Sequence, residues 1–244
     1  MSEPAPSVTR IGLLVPPSNA VMEVDFYRSL PEDITVHTTH INRGAETVGS
    51  DLPADNVVLA GKSLIQTEPA LVVYGHTVSS YVDGGHGDVR LTKALEEATG
   101  LPVMTAASAV VRCLQSIGAH RVWFVAPFPR AVTETGAAFL NARGFEVAAI
   151  ECMTIEEVRK LKTVPAETIS EVAMRAVATA DADALYICGT GLRTRALVGL
   201  LERELKKPVI TANLAALWGA LERLGHASRF SFGESRLLEW QRSR

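Results

Sequence analysis

The chain carries an internal repeat, which points to a duplicated fold. Three segments of the first half return in the same order in the second half, at roughly constant offsets: 11–17 (IGLLVPP) as 122–129 (VWFVAPFP), 71–77 (LVVYGHT) as 185–190 (LYICGT), and 102–106 (PVMTA) as 208–212 (PVITA). Each segment has the character of a short buried strand that runs into a turn of small or polar residues. The repeat therefore predicts a duplicated α/β unit, with a site in the cleft between two facing halves.

The composition argues against several classes of protein, including disordered, nucleic-acid-binding and membrane-spanning ones. The 244 residues are 47% hydrophobic and 21% charged, which predicts a sizeable core and not a disordered chain. A net charge of −3, without a block of Lys or Arg, argues against nucleic acid or an anionic membrane as a partner. No apolar run has the length of a transmembrane helix, and the N-terminus has no apolar signal region. Because Cys113, Cys152 and Cys188 lack metal-type spacing, we expect no metal, reduced thiols and a cytoplasmic protein.

Short apolar runs alternate with longer amphipathic stretches, which is typical of parallel strands covered by helices. The predicted strands are 11–15, 35–39, 71–75, 103–104, 121–126, 146–150, 184–188 and 209–211. The predicted helices are 21–29, 55–67, 88–99, 107–117, 132–142, 166–179, 194–204 and 214–224. We expect an N-terminal half of residues 1–119, a C-terminal half of residues 120–225, and a tail, 226–244, that can pack back on the first half.

Four turns follow these strands: 16–19 (PPSN), 75–80 (GHTVSS), 127–129 (PFP) and 189–191 (GTG). In open parallel sheets, ligands bind beyond the carboxyl ends of the strands. Small residues, hydroxyl groups and backbone N–H groups beside helix starts suit an anion such as a carboxylate. The spacing matches neither a P-loop nor a dinucleotide fingerprint. We therefore expect no nucleotide and no other cofactor.

Several segments resemble the aspartate/glutamate racemase superfamily, in the branch of maleate cis-trans isomerase and arylmalonate decarboxylase. They are VPPSNAVMEVDF (15–26), ITVHTTHINR (34–43), YGHT (74–77), GLPVMTAASAVV (100–111), RVWFVAPF (121–128) and CGTGLRT (188–194). The resemblance implies two pseudo-symmetric flavodoxin-like halves and a cofactor-free site in the cleft between them. It also implies proton transfer at the carbon next to a carboxylate, and a homodimer or dimer of dimers.

The chain departs from this family at its cysteines. The family's Tyr-Ala-Cys-Thr turn aligns with residues 74–77, so His76 stands where a cysteine is expected. The family's Ser-Cys-Thr-x-Leu-Arg-Thr aligns without gaps with 188–194, so Gly189 takes the second cysteine's place and Cys188 precedes it. A slip of one residue in the turn would restore Cys188. The internal repeat argues against that slip, because it pairs Thr77 with Thr190 and Gly75 with Cys188.

The catalytic candidates are His76 and Cys188. His76 follows a predicted buried strand, and histidine titrates near neutrality, which suits general acid/base catalysis; the alternative is a histidine that only hydrogen-bonds across the cleft. Cys188 is either a thiolate acid/base or nucleophile, or a small buried residue at a strand end.

The substrate-binding candidates lie in the same turns. The resemblance gives Asn19 an amide contact with a substrate carboxylate; the alternative is a helix cap or Asx turn. Thr77, Val78 and Thr190 offer backbone N–H groups, and the threonines also a hydroxyl, to a carboxylate or an enediolate oxyanion. Phe128 stands where relatives often carry tyrosine and cannot donate a hydrogen bond. The remaining candidates are Pro17, Gly189 and Gly191.

The sequence therefore predicts a cofactor-independent acid/base enzyme for a small carboxylate or dicarboxylate. The leading hypothesis is a maleate cis-trans isomerase-like enzyme with His76 in place of the first catalytic cysteine. One alternative is an arylmalonate decarboxylase-like lyase, which needs only one proton donor. The other is a carboxylate-binding homologue without catalysis, since both usual cysteine positions are altered.

Overall fold

The structure is a computed structural model that describes residues 8–42, 54–81 and 85–243. It contains two four-stranded parallel sheets, ordered β2-β1-β3-β4 and β6-β5-β7-β8. The identical order in the two halves confirms the duplicated α/β fold predicted from the repeat. The strands are β1 (Thr9–Val15), β2 (Ile34–His40), β3 (Leu71–Tyr74), β4 (Val103–Thr105), β5 (Arg121–Ala126), β6 (Glu146–Cys152), β7 (Ala184–Ile187) and β8 (Val209–Thr211).

Helices flank both sheets, and Thr105 and Thr211 cap two of them through their hydroxyl groups. The helices are α1 (Met22–Tyr27), α2 (Ala54–Leu64), α3 (Val78–Tyr81), α4 (His86–Thr99), α5 (Ala106–Ser116), α6 (Arg130–Asn141), α7 (Ala166–Val177), α8 (Val198–Leu205), α9 (Ala212–Arg223) and α10 (Leu237–Arg242). Short 3₁₀ segments lie at Ile65–Thr67, Val158–Thr163 and Ala227–Arg229. No helix within the described ranges is both long enough and apolar enough to cross a membrane.

The helix after β7 begins at Val198, four residues later than the sequence pattern predicts. Gly189 has a left-handed backbone with φ of 101°, and the N–H of Leu192 bonds to its carbonyl. A second local bond, from the Leu197 N–H to the Thr194 carbonyl, continues the turn. Residues 189–197 therefore form an irregular turn before α8 starts, and Thr190 and Gly191 lie at the carboxyl end of β7.

The hydrophobic core runs through both halves. Residues of β1, β3, β5 and β7 are almost wholly buried, and one cluster joins side chains from the two sheets. Helices α5 and α9, which are repeats of each other, lie side by side between the halves. Arg112 of α5 donates to both carboxylate oxygens of Glu222 of α9 at 2.7 Å. A Cβ on Gly219 of α9 would lie 2.9 Å from Met104 Sδ, so glycine allows the side chain of Met104 to pack closely against the helix.

The tail touches both halves. The Arg236 N–H donates to Glu202 Oε2 at 2.8 Å in the second half. In the first half, Gln241 Nε2 donates to Ser116 Oγ at 2.7 Å, and Arg229 forms an ion pair with Asp33. The boundary predicted near residues 118–120 remains a prediction, because the continuous core gives no break there.

Candidate active site

A cavity lies where the turns after β1, β3, β5 and β7 meet. These are the carboxyl ends of the two central strands of each sheet, the edge at which α/β folds bind their ligands. The lining comes from both halves of the chain: Pro16, Ser18, Asn19, His76, Thr77, Val78, Phe128, Val158, Leu161, Thr190 and Gly191. Seven of the ten residues predicted to form the site therefore lie around one cavity, namely His76, Asn19, Thr77, Val78, Phe128, Thr190 and Gly191.

Thr190 connects the turns of the two halves. Its hydroxyl donates to the Gly75 carbonyl at 3.0 Å and accepts from Asn19 Nδ2 at 3.0 Å. Thr190 is buried, so these bonds form in a setting where they are little weakened by solvent. The β7 turn of the second half is thereby tied to the turns after β1 and β3 of the first.

Asn19 lines the cavity and also bonds to the start of α1. Its Oδ1 accepts from the N–H groups of Val21 and Met22, both at 3.1 Å, which caps the start of α1. Its Nδ2 points the other way, to Thr190, while Asn19 lines the cavity. An amide nitrogen carries two hydrogens, and the bond to Thr190 uses one. The cap thus orients the amide toward the cavity.

His76 lines the cavity and is only 9% exposed. Its Nδ1 lies 2.8 Å from Ser79 Oγ, so the serine hydroxyl holds the ring. The ring also lies edge-on to Tyr74, with the centroids 6.3 Å apart. Because α3 starts at Val78, directly after the turn, it brings Ser79 back against His76. The histidine is therefore a buried, oriented group at the cavity wall.

Cys188 lies outside the cavity lining, although the sequence made it a catalytic candidate. It is fully buried, with Sγ 3.3 Å from Tyr81 OH and 3.5 Å from Thr77 Oγ1. Tyr81 OH in turn lies 3.0 Å from Tyr186 OH. Burial raises the pKa of the Cys188 thiol despite these hydrogen bonds. The thiol is thus protonated and belongs to a buried polar cluster with Thr77, Tyr81 and Tyr186, outside the cavity lining.

Two further candidates also lie off the lining. A Cβ on Gly189 would approach Pro127 Cγ to 2.9 Å, and the positive φ already disfavours a side chain. Pro17 is exposed, and its neighbours Pro16 and Ser18 line the cavity in its place. A cysteine at the Gly189 position would therefore need a different turn from the one this chain forms.

Sequence reasoning missed Val158 and Leu161, which line the cavity from a 3₁₀ segment. They are apolar residues three apart within a charged stretch, 156–163 (EEVRKLKT), a pattern that could have indicated a buried face. Leu161 packs closely on Gly191, where a Cβ would lie 3.2 Å from Leu161 Cβ. With Phe128, these side chains form an apolar wall of the cavity.

The lining combines one ionisable ring with hydroxyl, amide and backbone groups. Among the described residues around the cavity, His76 is the one titratable side chain. No cluster of three or more His, Cys, Asp or Glu side chains suited to a metal ion is found in the described part of the chain. The arrangement can hold a carboxylate through hydrogen bonds and can move a proton through the imidazole.

Comparison with known proteins gives consistent matches. The arylmalonate decarboxylase family model matches residues 11–238. An arylmalonate decarboxylase from Bordetella bronchiseptica is 29% identical over 235 residues, which cover 96% of this chain and 98% of the relative. A crystal structure of a double mutant of arylmalonate decarboxylase in the liganded form has a TM-score of 0.84 at 26% identity, over 94% of this chain and 98% of the other. A Nocardia farcinica maleate cis-trans isomerase mutant with a covalently bound succinylcysteine intermediate has a TM-score of 0.83 at 26% identity, over 95% and 98%.

Proposed function

This chain belongs to the arylmalonate decarboxylase family, and we propose that it decarboxylates a small malonate-type dicarboxylic acid without a cofactor. The observation that carries the proposal is the position of His76, the one titratable side chain among the described residues around the cavity. Decarboxylation needs a single proton donor, and this site has one. The relatives of the chain are enzymes, a decarboxylase and several maleate isomerases, so a catalytic role is the expected one.

The polar groups of the cavity would hold the carboxylate that stays on the substrate. Asn19 and Thr190 offer side-chain groups, and the N–H groups at the start of α3 have no acceptor within the helix. As the C–C bond to the leaving carboxylate breaks, CO₂ departs and the bonding electron pair moves into the remaining carboxylate. Donors placed around that carboxylate stabilise the enediolate that results.

His76 would then complete the reaction. Its imidazole delivers a proton to the carbon that lost CO₂, which gives the monocarboxylic acid, and it takes a new proton from solvent. Each turnover thus consumes one proton and releases one CO₂. Ser79 supports this role because its hydroxyl fixes the ring through Nδ1. The proposal gives Cys188 no part in this step, and the contact of its buried thiol with the Tyr81 hydroxyl supports this.

The apolar part of the lining points to the substituent that the substrate carries. Phe128, Val158 and Leu161 form an apolar wall, and their side chains cannot donate a hydrogen bond to a carboxylate. An aryl or alkyl group on the central carbon would displace water from this surface.

Maleate isomerisation is the second candidate, because several relatives are maleate isomerases. The Nocardia farcinica structure holds a succinylcysteine, a covalent bond between substrate and thiol. In this chain His76 would have to add to the double bond in place of that thiol, so that the bond could rotate. A carboxylate-binding homologue without catalysis is the third candidate.

The proposal also includes the compartment and the oligomeric state of the protein. The three free cysteines support a reducing compartment such as the cytoplasm. The family resemblance supports a homodimer or a dimer of dimers. Light scattering coupled to gel filtration measures the mass, which should be at least twice the 26.2 kDa of one chain.

Proton NMR of the purified chain with a substrate panel tests the proposed reaction. The panel contains phenylmalonate, alkylmalonates, maleate, aspartate and glutamate, each in D₂O. We expect an arylmalonate or alkylmalonate to lose CO₂ and its product to carry deuterium at the new C–H position. Formation of fumarate from maleate, without malonate turnover, would favour the isomerase. No turnover, together with a thermal shift for one carboxylate, would favour the binding homologue.

A further inference from the structure

A buried hydrogen-bond chain links an acidic residue outside the cavity to the cavity wall. Asn213 Nδ2 donates to Asp25 Oδ2 at 2.8 Å and to the Thr190 carbonyl at 3.2 Å. A carbonyl only accepts, and an ionised carboxylate only accepts, so the Asn213 amide has one suitable orientation. Asp25 is 6% exposed and Asn213 1%. Asp25 comes from α1 of the first half, and Asn213 from α9 of the second.

Thr190 makes two further hydrogen bonds at the cavity, both through its hydroxyl group. The same threonine that accepts from Asn19 Nδ2 also donates to the Gly75 carbonyl, one residue before His76. The Asp25 carboxyl group is therefore linked to the turns after β1, β3 and β7 through the Asn213 side chain and Thr190, whose backbone carbonyl accepts from Asn213 and whose hydroxyl makes the other two bonds. Neither Asp25 nor Asn213 lines the cavity.

We propose that Asp25 is a positioning residue, which holds Thr190 through Asn213 and thereby sets the Asn19 amide and the His76 turn. The inference rests on the proposed function for its effect on turnover, whereas the coupling from Asp25 to Thr190 stands on the hydrogen bonds alone. It adds to the site a pair of residues that touches no substrate.

Asp25 is the second acidic residue in the first turn of α1. Asn19 already caps α1, and Glu23 already supplies an acidic side chain to the first turn. Burial raises the pKa of Asp25 to about 6, although Asn213, Arg195 and Arg28 all act to lower it. Burial of the charged carboxylate costs stability, and the acceptor it provides to Asn213 is what Asp25 contributes beside the site.

The surroundings of Asp25 allow it to exchange protons with solvent. A groove lined by Asp25, Val24, Arg28, Arg193 and Arg195 lies on the outer side of α1. The charged groups facing Asp25 are Arg28 from α1 itself and Arg195 from the 190–197 turn, with Arg193 on the same groove, while α9 contributes the neutral Asn213. The carboxyl group therefore changes charge next to cations that do not titrate in the same pH range.

Methyl NMR of the full chain with ¹³C-labelled threonine methyl groups tests the coupling without any substrate. The Thr190 signal is assigned with Thr190→Ser, and spectra are recorded from about pH 4.5 to about pH 8, with His76→Asn present in every sample so that no imidazole titrates at the cavity wall. We expect a shift of the Thr190 methyl signal with a midpoint near 6 in the His76→Asn chain and in the same chain with Glu23→Gln, the matched control on α1. Adding Asp25→Asn should abolish that shift. Its persistence with Asp25→Asn, or its absence from the His76→Asn chain, would overturn the proposal.

Turnover supplies the second readout, on whichever panel member the chain converts. Asp25→Leu removes the acceptor for Asn213 and should lower kcat by about 10- to 100-fold. Asp25→Asn keeps an acceptor oxygen and should restore most of kcat, which a simple loss of packing would not do. Equal kcat in Asp25→Leu and the native chain, at equal thermal stability, contradicts the positioning role. If no panel member reacts, the proposed reaction fails and the NMR titration alone decides on the coupling.

Discussion

At the scale of single residues, the carboxyl group of Asp25 illustrates how a site can oppose stability. Burial raises its pKa from the ordinary 3.8 to about 6, with Asn213, Arg195 and Arg28 acting in the opposite direction. Each pKa unit corresponds to about 1.4 kcal/mol of difference between the charged and the neutral form. Above the raised pKa the folded chain therefore holds an ionised carboxylate at a cost of about 3 kcal/mol.

The sign of this effect gives a testable pH dependence. Below pH 3.8 the carboxyl group is protonated in both the folded and the unfolded chain, so it carries no penalty. Between 3.8 and about 6 the folded chain binds more protons than the unfolded one, so stability falls as pH rises. We expect Asp25→Asn to raise the free energy of unfolding by up to about 3 kcal/mol at pH 8, and by much less at pH 4.

Urea unfolding of the native chain, Asp25→Asn and Glu23→Gln at both pH values measures this difference. Glu23→Gln removes one acidic group from the same helix without touching Asn213, so it controls for net charge. A gain for Asp25→Asn that is the same at pH 4 and pH 8 would show that ionisation of Asp25 does not carry the cost.

At the scale of elements, the turn after β7 decides which residues reach the cavity. Gly189 adopts φ of 101°, and the Pro127 ring lies where its side chain would be. Because of this turn, Cys188 contacts Thr77 but lies off the cavity lining, whereas Thr190 lines the cavity. The local sequence predicted the strand and the cavity but not this geometry, because the turn depends on Pro127, which is distant in sequence.

Gly189→Ala tests how tightly the turn is specified. The new side chain would adopt a disfavoured φ and would also clash with Pro127, so we expect a loss of about 2–4 kcal/mol in the free energy of unfolding. Gly144→Ala is the matched control: its φ is 87°, but nothing lies within 4 Å of the added Cβ. Chemical denaturation of both variants measures the difference. Equal losses in the two variants would mean that the Pro127 contact adds nothing.

Sequence reasoning succeeded where a pattern is local and failed where distant contacts decide. Strands β5 and β8 begin and end as predicted, because short apolar runs bounded by Pro or Gly are strong local signals. The single-turn helix α3 and the 3₁₀ segment Val158–Thr163 were not predicted. Each is too short to show a helical period, and each is held by contacts with other parts of the chain. Leu161, for example, is buried against Gly191.

The same limit applies to the site. His76, Asn19 and Thr190 were predicted from the turns that follow the strands together with the resemblance to the family. The Asp25–Asn213 pair was missed because its residues are far apart in sequence and lie on two helices. A helical acidic residue normally indicates a solvent-exposed face, so only the fold shows that Asp25 is buried.

At the scale of the whole molecule, the larger of two hydrophobic clusters among the described residues joins the two halves. Helices α5 and α9 pack together between them, and the tail bonds to both Ser116 and Glu202. The cavity itself is built from turns of both halves, so it exists only while the halves are joined.

This shared core predicts that the chain unfolds in one cooperative step. All three tryptophans, Trp123, Trp218 and Trp240, lie in the second half or the tail, so their fluorescence reports on that part of the chain. Far-UV circular dichroism reports on helices of both halves. We expect the two signals to give the same urea midpoint. Two separate midpoints would show that the halves unfold independently despite the shared core.

The most direct test of the account compares His76 and Cys188 in the same reaction. The initial rate of deuterium incorporation into product is measured in D₂O for the native chain, His76→Asn and Cys188→Ser, with the substrate found in the panel. We expect His76→Asn to lower the rate by about 100-fold or more, because it removes the proton donor. Cys188→Ser should change the rate by less than about tenfold, because the thiol lies behind Thr77 and off the cavity lining. A large loss for Cys188→Ser with near-native turnover for His76→Asn would contradict the assignment of the proton donor.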